Sequence, residues 1–375
     1  MDRLDTLLPE ERVLCLAARS SHSAPDQERL AATIRAGLDW DRVWALGHLH
    51  EVLAAMAPSL SRAAADGVSV PEAWLAKAMR RRHVTLQSSA RLSEALLPTL
   101  EALDVAGVPV IPVKGLALTE RLYGDLASRP CADIDILVRA ADLPSAREVL
   151  RSLEFHQRAN RGYKALVHQF HDPAWGLGEG AEQVRLELHW ALWADSDRRL
   201  GVDGLWQRAV PGRLLGRDIR QLSLEDTLLH LAIHRTRSAL RLRWLVDVAE
   251  LVRRHGDDLD WTAFLERADA AGARTASWMA LRLADELMGA PVPGSVMEVL
   301  AVGRPKSAIL ERTCGVTAMF RVAGDDVRQQ PNLSLRSFEE DGAGRIVGAL
   351  SRSALRPVRE ALHDAGVLTV RQRMA

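Results

Sequence analysis

The chain has 375 residues, with 49 basic and 49 acidic side chains and no net formal charge; 47% of it is apolar and 26% charged. That balance excludes a disordered chain, which is poor in apolar residues, and neutrality weighs against a dedicated nucleic-acid binder as well. Cys15, Cys131 and Cys314 stand too far apart for a disulfide framework or a zinc knuckle and suit a reducing cytoplasm.

The N-terminus is charged from its second residue and lacks an apolar leader, so no signal peptide is expected. No long uncharged apolar run occurs, which predicts no membrane span and no membrane partner. Residues 1–106 read as helical. Leu4, Leu7 and Leu8, then Val13, Leu14 and Leu16, recur at helical spacing. Ser23-Ala24-Pro25-Asp26 breaks this run and caps a second helix, and Asp39 can cap a third. Pro71-Glu72 opens a long helix to about Val105, with Pro98 predicting a kink.

The texture changes at Gly107. Val108–Val113 is short, β-branched and apolar, a strand whose two prolines place it at an edge or a strand start. Residues 116–123 read as a short helix, Asp133–Val138 as a strand and Asp142–Leu153 as an amphipathic helix. Further strands are expected near 164–171 and at Gln183–His189, with Gly176, Gly178 and Gly180 marking a turn between them. From about 222 the pattern is helical again, opened by Ser223 as a cap, with Asp260 starting one helix and Ala276–Met288 another. These shifts divide the chain into a helical region (1–106), an α/β core (107–221), a helical domain (222–321) and a polar linker and tail (322–375) carrying a short helix near 352–365.

The chemistry concentrates at Asp133-Ile134-Asp135, set in an apolar strand. Side chains at i and i+2 share one face of a strand, so two carboxylates stand side by side against a core, where like charges raise one another's pKa. A cation between them relieves that repulsion, and hard divalent ions such as Mg²⁺ or Mn²⁺ take carboxylate and phosphate oxygens together. Glu187, in Val184-Arg-Leu-Glu-Leu-His189, is a candidate third carboxylate, with His189 on its face. Three such acids suit phosphoryl or nucleotidyl transfer, in which two metal ions clamp the attacking and leaving oxygens and one carboxylate acts as base.

The order of these pieces resembles the nucleotidyltransferase superfamily of the polymerase-beta-like fold, and within it a branch known as an uncharacterised nucleotidyltransferase family. The resemblance rests on Val113-Lys114-Gly115, Tyr123-Gly124-Asp125, Arg129-Pro130, Asp133-Ile-Asp-Ile-Leu-Val138 and Glu187-Leu-His-Trp190. Leu229-His230 and Arg243-Trp244-Leu245-Val246-Asp247 resemble the branch's helical region, so the likeness spans about residues 35–285. It implies an α+β fold, a small mixed sheet with flanking helices, embedded between helical regions. It also implies transfer of an NMP group from an NTP to an unidentified acceptor (small molecule, peptide or protein) with release of pyrophosphate. Asp133, Asp135 and Glu187 are then the catalytic and metal-binding residues. Lys114-Gly115 stands where the wider superfamily has Gly-Ser; Gly115 admits close backbone approach and Lys114 supplies a point charge to phosphate, or pairs with Asp133 or Asp135.

Arg129 is a candidate phosphate ligand at the mouth of the site, or a surface partner of Asp125. Tyr123 stacks on a base or packs its helix, and His189 reaches an acceptor or supports the acids. His230 and His234 are spaced i, i+4, but Leu231 replaces the Glu of a zinc-protease motif, which favours packing. Arg235, Arg237, Arg241 and Arg243 read as a solvated face or a contact for triphosphate or an acidic acceptor. Trp40, Trp44, Trp190, Trp193 and Trp244 read as core. His168, His171 and Trp175 border the glycine turn, where they can meet an acceptor. The competing readings are a catalytically silent nucleotide-binding module and a helical interaction protein with an incidental Asp-X-Asp.

Overall fold

The computed structural model describes residues 3–157, 174–192, 201–237 and 241–320. The expected strand near 164–171, His168, His171, Trp193 and the tail from 322 lie outside the described residues, as do the side chains of Arg235 and Arg237. Five helices come first: α1 (Pro9–Ala17), α2 (Ala24–Arg35), α3 (Trp40–Leu49), α4 (Leu53–Ala65) and α5 (Glu72–Val105). The expected caps form. Ser23 accepts from the Asp26 amide, and Asp39 from the amides of Asp41 and Arg42.

Helix α5 has 34 residues and runs on through Pro98; at 1.5 Å per residue it is about 51 Å long. Trp74 and Ala78, near its start, pack into a large helical core, whereas Leu92, Leu96, Leu100 and Leu103 pack on the sheet. One helix therefore braces both hydrophobic clusters.

The sheet contains β1 (Ile111–Pro112), β2 (Ile134–Leu137), β3 (His156–Gln157), β4 (Trp175–Leu177) and β5 (Val184–His189), with α6 (Gly115–Tyr123) and α7 (Leu143–Ser152) in its connections. Its order is β1-β2-β5-β4-β3. β2 and β5 run parallel and the other pairs antiparallel, so the sheet is mixed. β1 lies at an edge, where a proline without an amide hydrogen is tolerated. Gly178 and Gly180, at φ +76° and +65°, turn the chain between β4 and β5. Fold class α+β follows directly, with helices flanking a small mixed sheet.

After α8 (Val202–Arg208) comes a separate hairpin, β6 (Val210–Leu214) and β7 (Arg217–Gln221), in a stretch for which the sequence predicts no strand. Only Leu214 of the two strands is fully buried, so their period-two signature is weak. Their turn is Leu215-Gly216, at φ +53° and +80°, instead of the usual Asn-Gly.

The described residues end in helices α9 (Leu224–Arg237), α10 (Leu242–His255), α11 (Trp261–Ala270), α12 (Arg274–Met288), α13 (Gly294–Leu300), α14 (Arg304–Cys314) and α15 (Val316–Phe320). Ser223 and Asp260 cap as expected, accepting from the amides of Asp226 and Ala263. Leu228 and Leu229 of α9, Leu245 and Val248 of α10 and Leu281 of α12 share one core with Leu14, Val43 and Leu60. Among the described residues no helix is long and apolar enough to cross a membrane.

Candidate active site

Alternation along β2 and β5 builds the site. Ile134, Ile136, Leu186 and Leu188 face the core beneath α5 and α7, which leaves Asp135, Glu187 and His189 on the opposite face. In the parallel register Asp135 stands directly across from Glu187. Two carboxylates some fifty residues apart in sequence thus become lateral neighbours, roughly 5 Å apart across the ladder.

Asp135 is 3% exposed. Its Oδ1 lies 2.9 Å from Lys114 Nζ and 2.9 Å from His189 Nε2. His189 Nε2 is also 3.5 Å from Glu187 Oε2, and an Arg185 guanidinium nitrogen is 3.6 Å from Glu187 Oε1. Ligand atoms of Asp135, Glu187 and His189 all lie within 4.8 Å of one another. The group that converges is therefore two carboxylates and an imidazole, where the sequence reading expects three carboxylates. Asp133 is not among them and lies just ahead of β2, whose first residue is Ile134.

Asp133 still feels its neighbours. Burial first, then the charges of Asp135 and Glu187, push its pKa up to about 6. Burial works the same way on Asp135, but Lys114 and His189 prevail and hold it well below the usual carboxylate range. Burial also opposes the charge on Lys114 and on His189; contact with Asp135 overrides it and raises both. The Glu187 carboxyl, raised by burial, is brought down further by its bond to His189. Of the three acids, only Asp133 is left above its ordinary value, because burial and its two acidic neighbours outweigh Lys114 and Arg185.

A pH-dependent effect follows. The folded pKa of Asp133, about 6, lies above its unfolded value of 3.8. Its contribution to stability is full below the unfolded value and is lost as pH rises through about 6. Asp133→Asn is therefore expected to stabilise the metal-free protein at pH 8 by about 1–3 kcal/mol and to change little at about pH 3, below both values. Thermal melts at the two pH values measure this; a variant less stable than wild type at pH 8 contradicts it.

Lys114 reaches Asp135 through the backbone. The Val113 amide donates to the Asp135 carbonyl at 3.2 Å, and Lys114 stands at the N-cap position of α6, its side chain not bonded to the helix amides. The lysine thus pairs with Asp135, one of the two alternatives left open by the sequence. Gly115 follows at φ +53°, and a Cβ there would lie 3.0 Å from the Asp133 carbonyl oxygen. Its close approach in this structure is to the loop before β2. Gly115→Ala is expected to lower stability by about 1–3 kcal/mol, seen as an earlier chemical-unfolding midpoint. An unchanged midpoint would mean the turn relaxes freely.

Arg129 requires a correction. The sequence reading puts it at the mouth of the site or on Asp125; the structure buries it, 4% exposed, with Nε 2.9 and 3.0 Å from the two carboxylate oxygens of Asp247. A buried Asp in α10 needs a partner, and Arg129 is the one that supplies it. Asp125 instead pairs with Arg82 and Ser128 and caps the Ala127 amide. Tyr123 packs, and donates its hydroxyl to Asp247 at 2.7 Å. Burial, then Asp247, raises the Tyr123 pKa well above its ordinary value.

Three residues escaped the sequence reading as members of this neighbourhood. Arg185 was legible, because it lies two residues before Glu187 on the same strand face. Asp247 was half legible, as a charge within the apolar run Trp244-Leu-Val-Asp-Val. His234 was not: only tertiary packing brings α9 close enough for Lys114 to add to burial in depressing its pKa. Its ring stands edge-on to Trp244 at 4.4 Å and stacks on His230 at 5.7 Å, in keeping with the expected packing role.

Two carboxylates and a histidine form a donor set that fits a small divalent cation: the oxygens suit Mg²⁺, and the imidazole extends the fit to Mn²⁺. The arrangement can bind such an ion, hold phosphate oxygens near Lys114 and Arg185, and take a proton on a carboxylate.

A family model described as "Uncharacterised nucleotidyltransferase" matches residues 36–289. Among solved structures, an antigenic nucleotidyltransferase-like protein from Paracoccidioides brasiliensis aligns with 54% of this chain and 96% of its own, at 16% identity and a TM-score of 0.33. No curated protein matches the chain.

Proposed function

The chain belongs to the uncharacterised nucleotidyltransferase family, and from that premise we propose that it transfers a nucleotidyl group from an NTP to an acceptor, releasing pyrophosphate. The observation that carries the reading is the pairing of Asp135 with Glu187 across β2 and β5, on the face that Lys114 and His189 share.

Asp135, Glu187 and His189 would hold Mg²⁺ or Mn²⁺, with Asp133 alongside. When bound, the ion supplies positive charge to the phosphate oxygens and to the departing pyrophosphate. Lys114 and Arg185 bind phosphate oxygens of the NTP and orient the chain for attack. Glu187 accepts the proton of the acceptor hydroxyl as its oxygen bonds to the α-phosphorus, and the bond from that phosphorus to pyrophosphate breaks. The proton then rests on a Glu187 carboxylate oxygen. Arg129 has no part in binding phosphate in this scheme; it holds Asp247.

The test uses each of the four NTPs labelled at the α-phosphate, Mg²⁺ or Mn²⁺, and a cell extract as the source of acceptor. Label is expected to enter an acceptor, with equimolar pyrophosphate, only when a divalent ion is added. No label and no pyrophosphate with any NTP would dismiss the transferase reading. A second reading, a nucleotide-binding module without turnover, is favoured by one observation: Asp135 is already paired with a lysine. Saturable NTP binding with no pyrophosphate release selects it.

A further inference from the structure

Asp135 and Glu187 face each other across β2 and β5, and Asp133 lies just ahead of β2. Two cationic side chains stand against them. Lys114 Nζ is 2.9 Å from Asp135 Oδ1 and 15% exposed, so water screens it little. Arg185 sits against Glu187 at 3.6 Å and acts on Asp133 as well. Three carboxylates against two cationic side chains leave about one carboxylate without a cationic partner. One divalent ion supplies that partner. A second would have to share the Asp135 carboxylate with an ammonium group in a poorly hydrated place, where like charges repel strongly.

The backbone on either side of the lysine is held in place. Val113, before it, is buried and bonded to the Asp135 carbonyl; Gly115, after it, leaves little room for a Cβ beside the Asp133 carbonyl. Asp135 Oδ1 also faces His189 Nε2 at 2.9 Å, so this oxygen is engaged from two sides. Resting on the nucleotidyl-transfer reading above, we propose that Lys114 is a resident cation at Asp135, and that the centre takes one divalent ion, held by Asp135, Glu187 and His189, where the three-carboxylate arrangement takes two. Lys114 stands in for the second.

The test counts ions, using Mn²⁺ alone and the full chain, with free Mn²⁺ followed by its electron paramagnetic resonance signal. Wild type and Lys114→Arg are expected to bind one Mn²⁺ per chain. Lys114→Met, which removes the charge, is expected to bind a second ion or to hold the first at least about tenfold tighter. Two ions on wild type, or none, overturn the proposal. So does a Lys114→Met variant with wild-type circular dichroism and unchanged Mn²⁺ binding. Should that variant fail to fold, the wild-type count still decides. Label transfer on the same preparation keeps the two readings apart: transfer with two ions bound sinks the resident cation alone, and one ion bound with no transfer from any NTP sinks the transferase alone.

Discussion

Asp135→Asn is expected to lower metal-dependent label transfer by on the order of 100- to 1000-fold, the scale set by removing a group that stabilises developing charge. Asn keeps the shape of the side chain and loses its charge. Lys114 and His189 both address Asp135 Oδ1, and the side chain faces Glu187 across the ladder, so this one carboxylate joins every part of the site. The fold should survive, because Lys114 retains the nearby charges of Glu187 and Asp133. Asp133 should titrate lower, since the Asp135 charge is one of the causes that raise it. Steady-state label incorporation, with melting temperature as the control for folding, measures the effect. A folded variant retaining more than about a tenth of the wild-type rate would be incompatible with these roles.

The largest effect on stability is expected at Asp247 of α10. Arg129 and Asp247 are 4% and 0% exposed, and Tyr123 donates a third hydrogen bond to the same carboxylate. Asp247→Ala leaves a guanidinium buried without its counter-charge, which costs about 3–5 kcal/mol. For a chain of this size that lowers the melting temperature by on the order of 10 °C. Replacing both partners, Arg129→Met with Asp247→Leu, should restore much of the loss, since no buried charge is then left unpaired. A single Asp247→Ala variant that melts within about 2 °C of wild type would remove the pair from the account. The pair also anchors the approach to the site. Arg129 begins the segment leading to Asp133, and Arg243 of α10 donates to the Pro130 carbonyl at 3.1 Å. The loop before β2 is thereby held to the helix that follows α9.

How far the sequence could be read depended on the range of the interaction. Caps are local: Ser23, Asp39, Ser223 and Asp260 bond to amides two or three residues on, and each start was legible. The apolar run around Asp133 and Asp135 identified β2, and two-residue spacing put Glu187 and His189 on one face of β5. The β6–β7 hairpin escaped because its strands bury little, and burial is what writes alternation into a sequence. The loss of Arg129 as a phosphate ligand has another cause. Its partner Asp247 lies 118 residues further on, and a motif beside an arginine says nothing about a carboxylate on a distant helix.

The sequence by itself determined the capped helices, the β2 strand with its Asp-X-Asp, and the shared face of Glu187 and His189, since each follows from side-chain periodicity or capping within a few residues. Only the tertiary structure decided that β2 and β5 adjoin in parallel, that His189 joins Asp135 and Glu187 while Asp133 stands aside, and that Lys114 meets Asp135. Those outcomes depend on strand order and register, which the core under α5 and α7 fixes by burying Ile134, Ile136, Leu186 and Leu188 together. A shift of one residue in either strand would turn the acids into that core, and the expense of burying unpaired charge there forbids it.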